Sequence, residues 1–115
     1  MRNAFQEELD SIHDTLVKMG RIVEESMSAA TRALLEPNLE IAEKVIKDDD
    51  TIDDMQHELD ARTMMIIARQ SPVAGDLRTL VTSLRMSADL ERMGDMAHHI
   101  AKLARMRYPN NAVPA

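Results

Sequence analysis

Two interruptions divide an otherwise continuous helical pattern: EPN at 36–38 and QSP at 70–72. Proline disfavours helical geometry in the residue before it, so each is read as a helix boundary. Asn38 is placed to cap a following helix. Ser71, followed by Pro72 at the first helical position, is predicted to cap the next. In the first segment Phe5, Leu9, Ile12, Leu16, Met19, Val23, Met27, Ala30 and Leu34 recur at intervals of three and four. In the second, Ala42, Val45, Ile52, Gln56, Leu59, Thr63 and Ile66 lie along one stripe. This is the period of amphipathic helices sustained from end to end. Short connections make neighbouring helices antiparallel. The predicted fold is therefore all-α, an antiparallel up-down-up three-helix bundle over residues 1–107, with YPNNAVPA at 108–115 as a tail or linker.

The third segment is less regular. Val73, Leu77, Leu80, Val81, Leu84 and Ala88 form one apolar stripe, whereas Leu90, Met93, Ala97, Ile100 and Ala104 lie nearly opposite. The spacing predicts a helix with two apolar faces at different heights. Glu91, Asp95 and His98 then occupy the face that the core abandons.

Composition narrows the function classes. With one Phe, one Tyr and no Trp, the core must be aliphatic. The ten methionines are expected to fill gaps in it, the alternative being an adaptable binding groove. The absence of cysteine excludes disulfides, thiolate metal sites and thiol catalysis. A net charge of -6 with almost no aromatics opposes nucleic acid as a partner, which wants clustered cations and stacking platforms. No apolar run is long enough to span a bilayer, and MRNAFQEELD lacks the apolar centre of a signal peptide, so a soluble, cytoplasmic protein is expected. Gly20, Gly75 and Gly94 are isolated and make no phosphate loop. Arg78, Arg85 and Arg92, spaced by seven, could meet a partner's acids or a phosphate, but an internal role such as Arg85 with Asp89 is the expectation.

The acids carry the chemistry. Glu91 and Asp95 are four apart, as are Asp49 and Asp53 within KDDDTIDDMQ, where five aspartates crowd seven positions. Like charges at this spacing destabilise a helix by ~0.2–0.5 kcal/mol, a cost that a cation such as Arg92 can relieve. Folded antiparallel about the turn at 70–72, the two pairs meet at one height, which repulsion alone opposes. Two readings stay open on spacing: solvated acids each with its own Lys or Arg, or carboxylates gathered round a hard or borderline cation. His98 and His99, three and four residues after Asp95, either join a metal shell or are ordinary surface histidines. Asp10 with His13, and Asp54 with His57, have the spacing seen in carboxylate-bridged di-iron bundles, but both fall off the apolar stripes.

The segment PVAGDLRTLVTSLRMSADLERMGDMAHHIAKLA, residues 72–105, closely resembles the third-helix signature of the PhoU family. The agreement includes the Pro, Asp-Leu-Arg at 76–78 and Glu-Arg-x-Gly-Asp at 91–95. The first helix opens with the similar F-x-x-E-L and later has ATRALLE, and the second has A-x-x-V-I-x-x-D-x-x-I-D from Ala42 to Asp53. The resemblance implies a cytoplasmic, non-enzymatic repressor of phosphate uptake and of the phosphate-starvation response. Its implied partners are the phosphate ABC transporter and a membrane sensor histidine kinase. It also implies a metal ion or cluster, iron or zinc, on Glu/Asp-x-x-x-Asp motifs that map here to Asp49, Asp53, Glu91 and Asp95. Family members usually hold two such repeats and this chain has one, so it is expected to be the N-terminal half of a longer protein or a short form that pairs as a homodimer. The alternatives are a ferritin-like metal-handling bundle and a metal-free interaction module.

Overall fold

Three helices of nearly equal length result: α1 (Ala4–Leu35), α2 (Leu39–Gln70) and α3 (Ala74–Arg107). The structure is a computed structural model and describes residues 3–112. Three-residue connections reverse the chain twice, so α2 runs antiparallel to both neighbours and α1 and α3 run parallel. Each helix packs against both others in a rod of 57 × 22 × 19 Å. The all-α up-down-up bundle is as predicted. The expected tail starts where α3 ends; its residues 113–115, like residues 1–2 at the other end, lie outside the described residues.

The helix ends follow local chemistry with one exception. Asn3 Oδ1 accepts from the Gln6 amide at 2.7 Å and Asn38 Oδ1 from that of Ile41 at 3.1 Å, satisfying amides with no partner inside the helix. Ser71 does not cap α3. It ends α2 in the left-handed region (φ 43°, ψ 59°), and α3 begins only after Val73, with no side-chain cap. Pro72 explains the shift: the residue before it is excluded from the right-handed helical region, and here it turns the chain instead.

The core has two ends of different texture. Ile12, Leu16, Met19, Val23, Ile52, Leu59, Ile66 and Leu80 fill one. The other is narrow, built from Ala30, Ala33, Ala42, Val45, Ala97, Ala101 and Ala104. The third helix departs from its predicted pattern. It has one buried stripe, Leu80, Ser83, Ser87, Gly94, Ala97, Ala101 and Ala104, bridged by half-buried Leu90 and Glu91. Val73 is 73% exposed, and Leu77, Val81 and Met93 are exposed too. Size rather than hydropathy selects this face, because small side chains let α3 lie close to both neighbours. The methionines also depart from expectation. Met19 is buried and Met27 and Met55 pack against the core, but Met64, Met65, Met86, Met93, Met96 and Met106 are exposed. Most of the gap-filling falls instead to alanine.

Candidate metal centre

Where the branched core gives way to the alanine end, α2 and α3 bring their acids together. The run KDDDTIDDMQ wraps round the helix, and its aspartates part company. Asp48 pairs with Lys44 at 2.7 Å, while Asp50 and Asp54 face solvent. Asp49 takes the core position between Val45 and Ile52 and is only 5% exposed. Asp53, one turn on, is half-buried and faces Glu91. Burial of Asp49 depends on Gly94 across the interface, where an added Cβ would lie 3.4 Å from Asp49 Oδ1 and 2.9 Å from Ile52 Cδ1.

From α3, His98 places Nδ1 2.6 Å from Asp49 Oδ2, and Asp95 joins this pair so that one ligand-type atom from each lies within 4.8 Å of the others. His99 stands outside, Nε2 3.4 Å from the second carboxyl, that of Asp95, with both largely exposed. The four acids singled out in the sequence thus occupy one site, with His98 as a fifth member. They do not find basic partners: among the described residues, no Lys or Arg lies within ion-pair distance of Asp49, Asp53, Glu91 or Asp95. Arg92 turns away to Asp89 at 2.6 Å, taking the place expected for Arg85.

The uncompensated charge registers in the carboxyls. Burial, then the neighbouring Asp49 and the more distant Asp95, push the Asp53 carboxyl up from the ordinary range, opposed by a hydrogen bond with Glu91. For Glu91, burial is again the largest cause, followed by the charge of Asp53 and by the same hydrogen bond, which here also acts upward. Both carboxyls are thus pushed upward, first by burial and then by neighbouring carboxylate charge.

Two atoms at the site are buried with no hydrogen-bond partner, Asp49 Oδ1 and His98 Nε2. Such an orphan is costly, about 1–3 kcal/mol each, and more for a charged group. A cation among the carboxylates would satisfy the Asp49 Oδ1 orphan and the unpaired charge, so these acids fit a bound metal. The Asp-x-x-His pairs are placed otherwise. His13 and His57 are exposed, and His57 Nδ1 donates to the Asp53 carbonyl at 2.8 Å.

Comparison with models of protein families matches residues 16–104 to the PhoU domain. The chain belongs to the PhoU family. Among curated proteins, it is 40% identical over 114 residues to the phosphate-specific transport system accessory protein PhoU homolog 2 of Mycobacterium tuberculosis (strain ATCC 25618 / H37Rv), covering 99% of this chain and 54% of that one. It is 43% identical over 97 residues to the PhoU homolog of Aquifex aeolicus (strain VF5), covering 84% and 44%. To the PhoU homolog of Rhizobium meliloti (strain 1021) it is 38% identical over 100 residues, covering 87% and 42%. The chain thus spans about half the length of the curated PhoU relatives it matches. The matched region contains all four acids and His98. No helix among the described residues is long and apolar enough to cross a membrane.

Proposed function

We propose that this PhoU chain is a cytoplasmic negative regulator of phosphate uptake and of the phosphate-starvation response, acting by protein binding rather than catalysis. Its partners in this reading are the phosphate ABC transporter and the membrane sensor histidine kinase. The observation that carries it is the PhoU match over residues 16–104, together with relatives named accessory proteins of phosphate-specific transport.

Within this reading, Asp49, Asp53, Glu91 and Asp95 hold a metal ion or cluster, iron or zinc. The metal supplies positive charge where four carboxylates converge. Asp49 and Asp53 belong to α2 and Glu91 and Asp95 to α3, so the bound state ties the two helices together and couples occupancy to the surface they present.

The test has two arms. The chain is expressed in a bacterium lacking its own PhoU protein, and a phosphate-starvation reporter is followed in plentiful phosphate while co-purification with the transporter is measured. Repression with retention on the transporter is expected; a folded chain that does neither overturns the regulatory reading. Metal content by mass spectrometry, before and after chelation and beside Glu91→Ala with Asp95→Ala, tests the site. Stoichiometric iron or zinc, lost in the variant, is expected. No metal in either protein, with transporter binding that weakens sharply with salt, would replace the metal site by an acidic docking face.

A further inference from the structure

We propose that the outer face of α3 is a docking surface for a partner protein, and that the partner presents a helix with carboxylates repeated every seven residues beside an apolar stripe. The inference rests on the protein-binding reading above and deepens it by naming the surface and the chemistry it takes.

Charge singles out the helix. Of the three, α3 alone carries more Lys and Arg than acids, six against four; α2 carries four against nine and α1 three against six. Two of the four acids on α3, Glu91 and Asp95, belong to the cluster with α2. In a chain of net charge -6 the outer face of α3 is therefore a local cationic surface. Its arginines, Arg78, Arg85 and Arg92, are all exposed and recur every seven residues. The internal role expected for them is filled only at Arg92, which meets Asp89 at 2.6 Å with both side chains largely exposed. Such a surface pair holds weakly, so Arg92 is free to exchange partners. Among the described residues, Arg78 and Arg85 have neither an ion pair nor a hydrogen bond from their side chains.

Spacing then decides what meets them. The helical rise sets about 10.5 Å between members and about 21 Å over the row, too long to close on one small anion such as phosphate. Carboxylates on a second helix match it when they too recur every seven residues, as charged pairs do along packed helices. The row is not purely charged. Val81 lies three residues from Arg78 and four from Arg85, Met96 lies four from Arg92, and Leu103 seven further on, so all three share its face. They are 36%, 56% and 46% exposed. Beside Arg78 a groove of about 500 Å³ opens between α1 and α3, lined by Leu9, Leu16, Val17 and Met86 among others. It accepts an apolar anchor next to the cation, the arrangement in which binding energy concentrates. Arginine and methionine are also enriched where proteins meet.

Binding of the full chain to the purified phosphate ABC transporter in detergent tests this, with circular dichroism reporting helix content. Arg78→Glu with Arg85→Glu is expected to weaken binding by about tenfold or more and to flatten its salt dependence. Arg21→Glu with Arg32→Glu, on α1, changes the net charge equally and should leave affinity within about twofold of wild type. Oxidative footprinting of the wild type needs no variant to fold. The transporter should protect Met96 from peroxide, while Met64 and Met65 on α2, similarly exposed, stay reactive. Equal losses in the two double variants would reduce the effect to net charge and overturn the surface, as would protection of Met64 and Met65 in place of Met96. A wild-type dimer in sedimentation without transporter, dissociated by Arg78→Glu with Arg85→Glu, would make a second copy the occupant and overturn the partner assigned. Unchanged transporter binding in the α3 variant would overturn the docking face and leave the regulatory reading standing, whereas no transporter binding by the wild type would remove both.

Discussion

Gly94 and Ile52 are packed so closely that a methyl group on residue 94 would come within 2.9 Å of Ile52 Cδ1. Ile52 has no exposed surface, so its side chain has little room to swing away. This contact makes a testable exception to helix propensity. Gly→Ala within an exposed helix stabilises by about 1 kcal/mol, but overpacking a core costs ~1–3 kcal/mol. Gly94→Ala is therefore expected to destabilise by about 1 kcal/mol net, measured by urea unfolding. In an Ile52→Val background, which removes the obstructing Cδ1, the same change should be neutral or stabilising. Equal effects in both backgrounds would mean that the contact does not limit the approach of α3 to α2.

Leu80 and Val81 are neighbours that hydropathy places on one stripe and the fold separates. Leu80 is wholly buried and Val81 is 36% exposed. Leu80→Ala is expected to cost ~2–5 kcal/mol, as buried leucines do, and Val81→Ala to stay within about 0.5 kcal/mol of wild type. Comparable losses in thermal unfolding would restore a second apolar face to α3.

The raised carboxyls of Asp53 and Glu91 set the sign of a pH dependence in the metal-free protein. A group whose folded pKa lies above its unfolded value binds more protons when folded. Its contribution is fully present below the unfolded value and is lost as pH rises through the folded one. Stability should thus fall as pH rises from the ordinary carboxylate range through the raised titration of Glu91. Glu91→Gln, which keeps a donor for Asp53 without the charge, should flatten this slope and stabilise the metal-free chain near neutral pH by about 1 kcal/mol, the scale of one close like-charge contact in water. An unchanged slope in chemical denaturation across pH would place the responsible titration elsewhere.

At Ser71 the positive φ of 43° is a conformation that side chains disfavour and glycine does not. Ser71→Gly should raise stability, by up to about 1 kcal/mol, because relief in the folded turn outweighs the added freedom of the unfolded chain. A lower melting temperature would show that the serine side chain holds the turn.

Legibility in the sequence followed physical type. The helices and their order were readable because Pro37 and Pro72 stand between long runs of period three and four. The meeting of Asp49 and Asp53 with Glu91 and Asp95 followed from antiparallel register alone. The burial of Asp49 left a signal that went unread: the apolar stripe of α2 steps from Val45 to Ile52, leaving the core position between them to Asp49. His98 was one candidate of two, and its partner could not be seen, because a hydrogen bond across 49 residues of chain has no local signature. The face of α3 was misplaced because Ser83, Ser87 and Gly94 are weakly apolar, while exposed Val73, Leu77 and Val81 dominate any hydropathy pattern. Close packing chose by volume, a property that periodicity in polarity does not report.

Three helices are an odd number, and with two short reversals they place Ala4 and Arg107 at opposite ends of a 57 Å rod. Tension applied between those residues runs along the bundle axis. It drags α1 and α3 past α2 in shear, loading many packed side chains together instead of peeling one helix away a contact at a time. The acidic cluster bridges α2 and α3, within the interface that such a pull would have to slide.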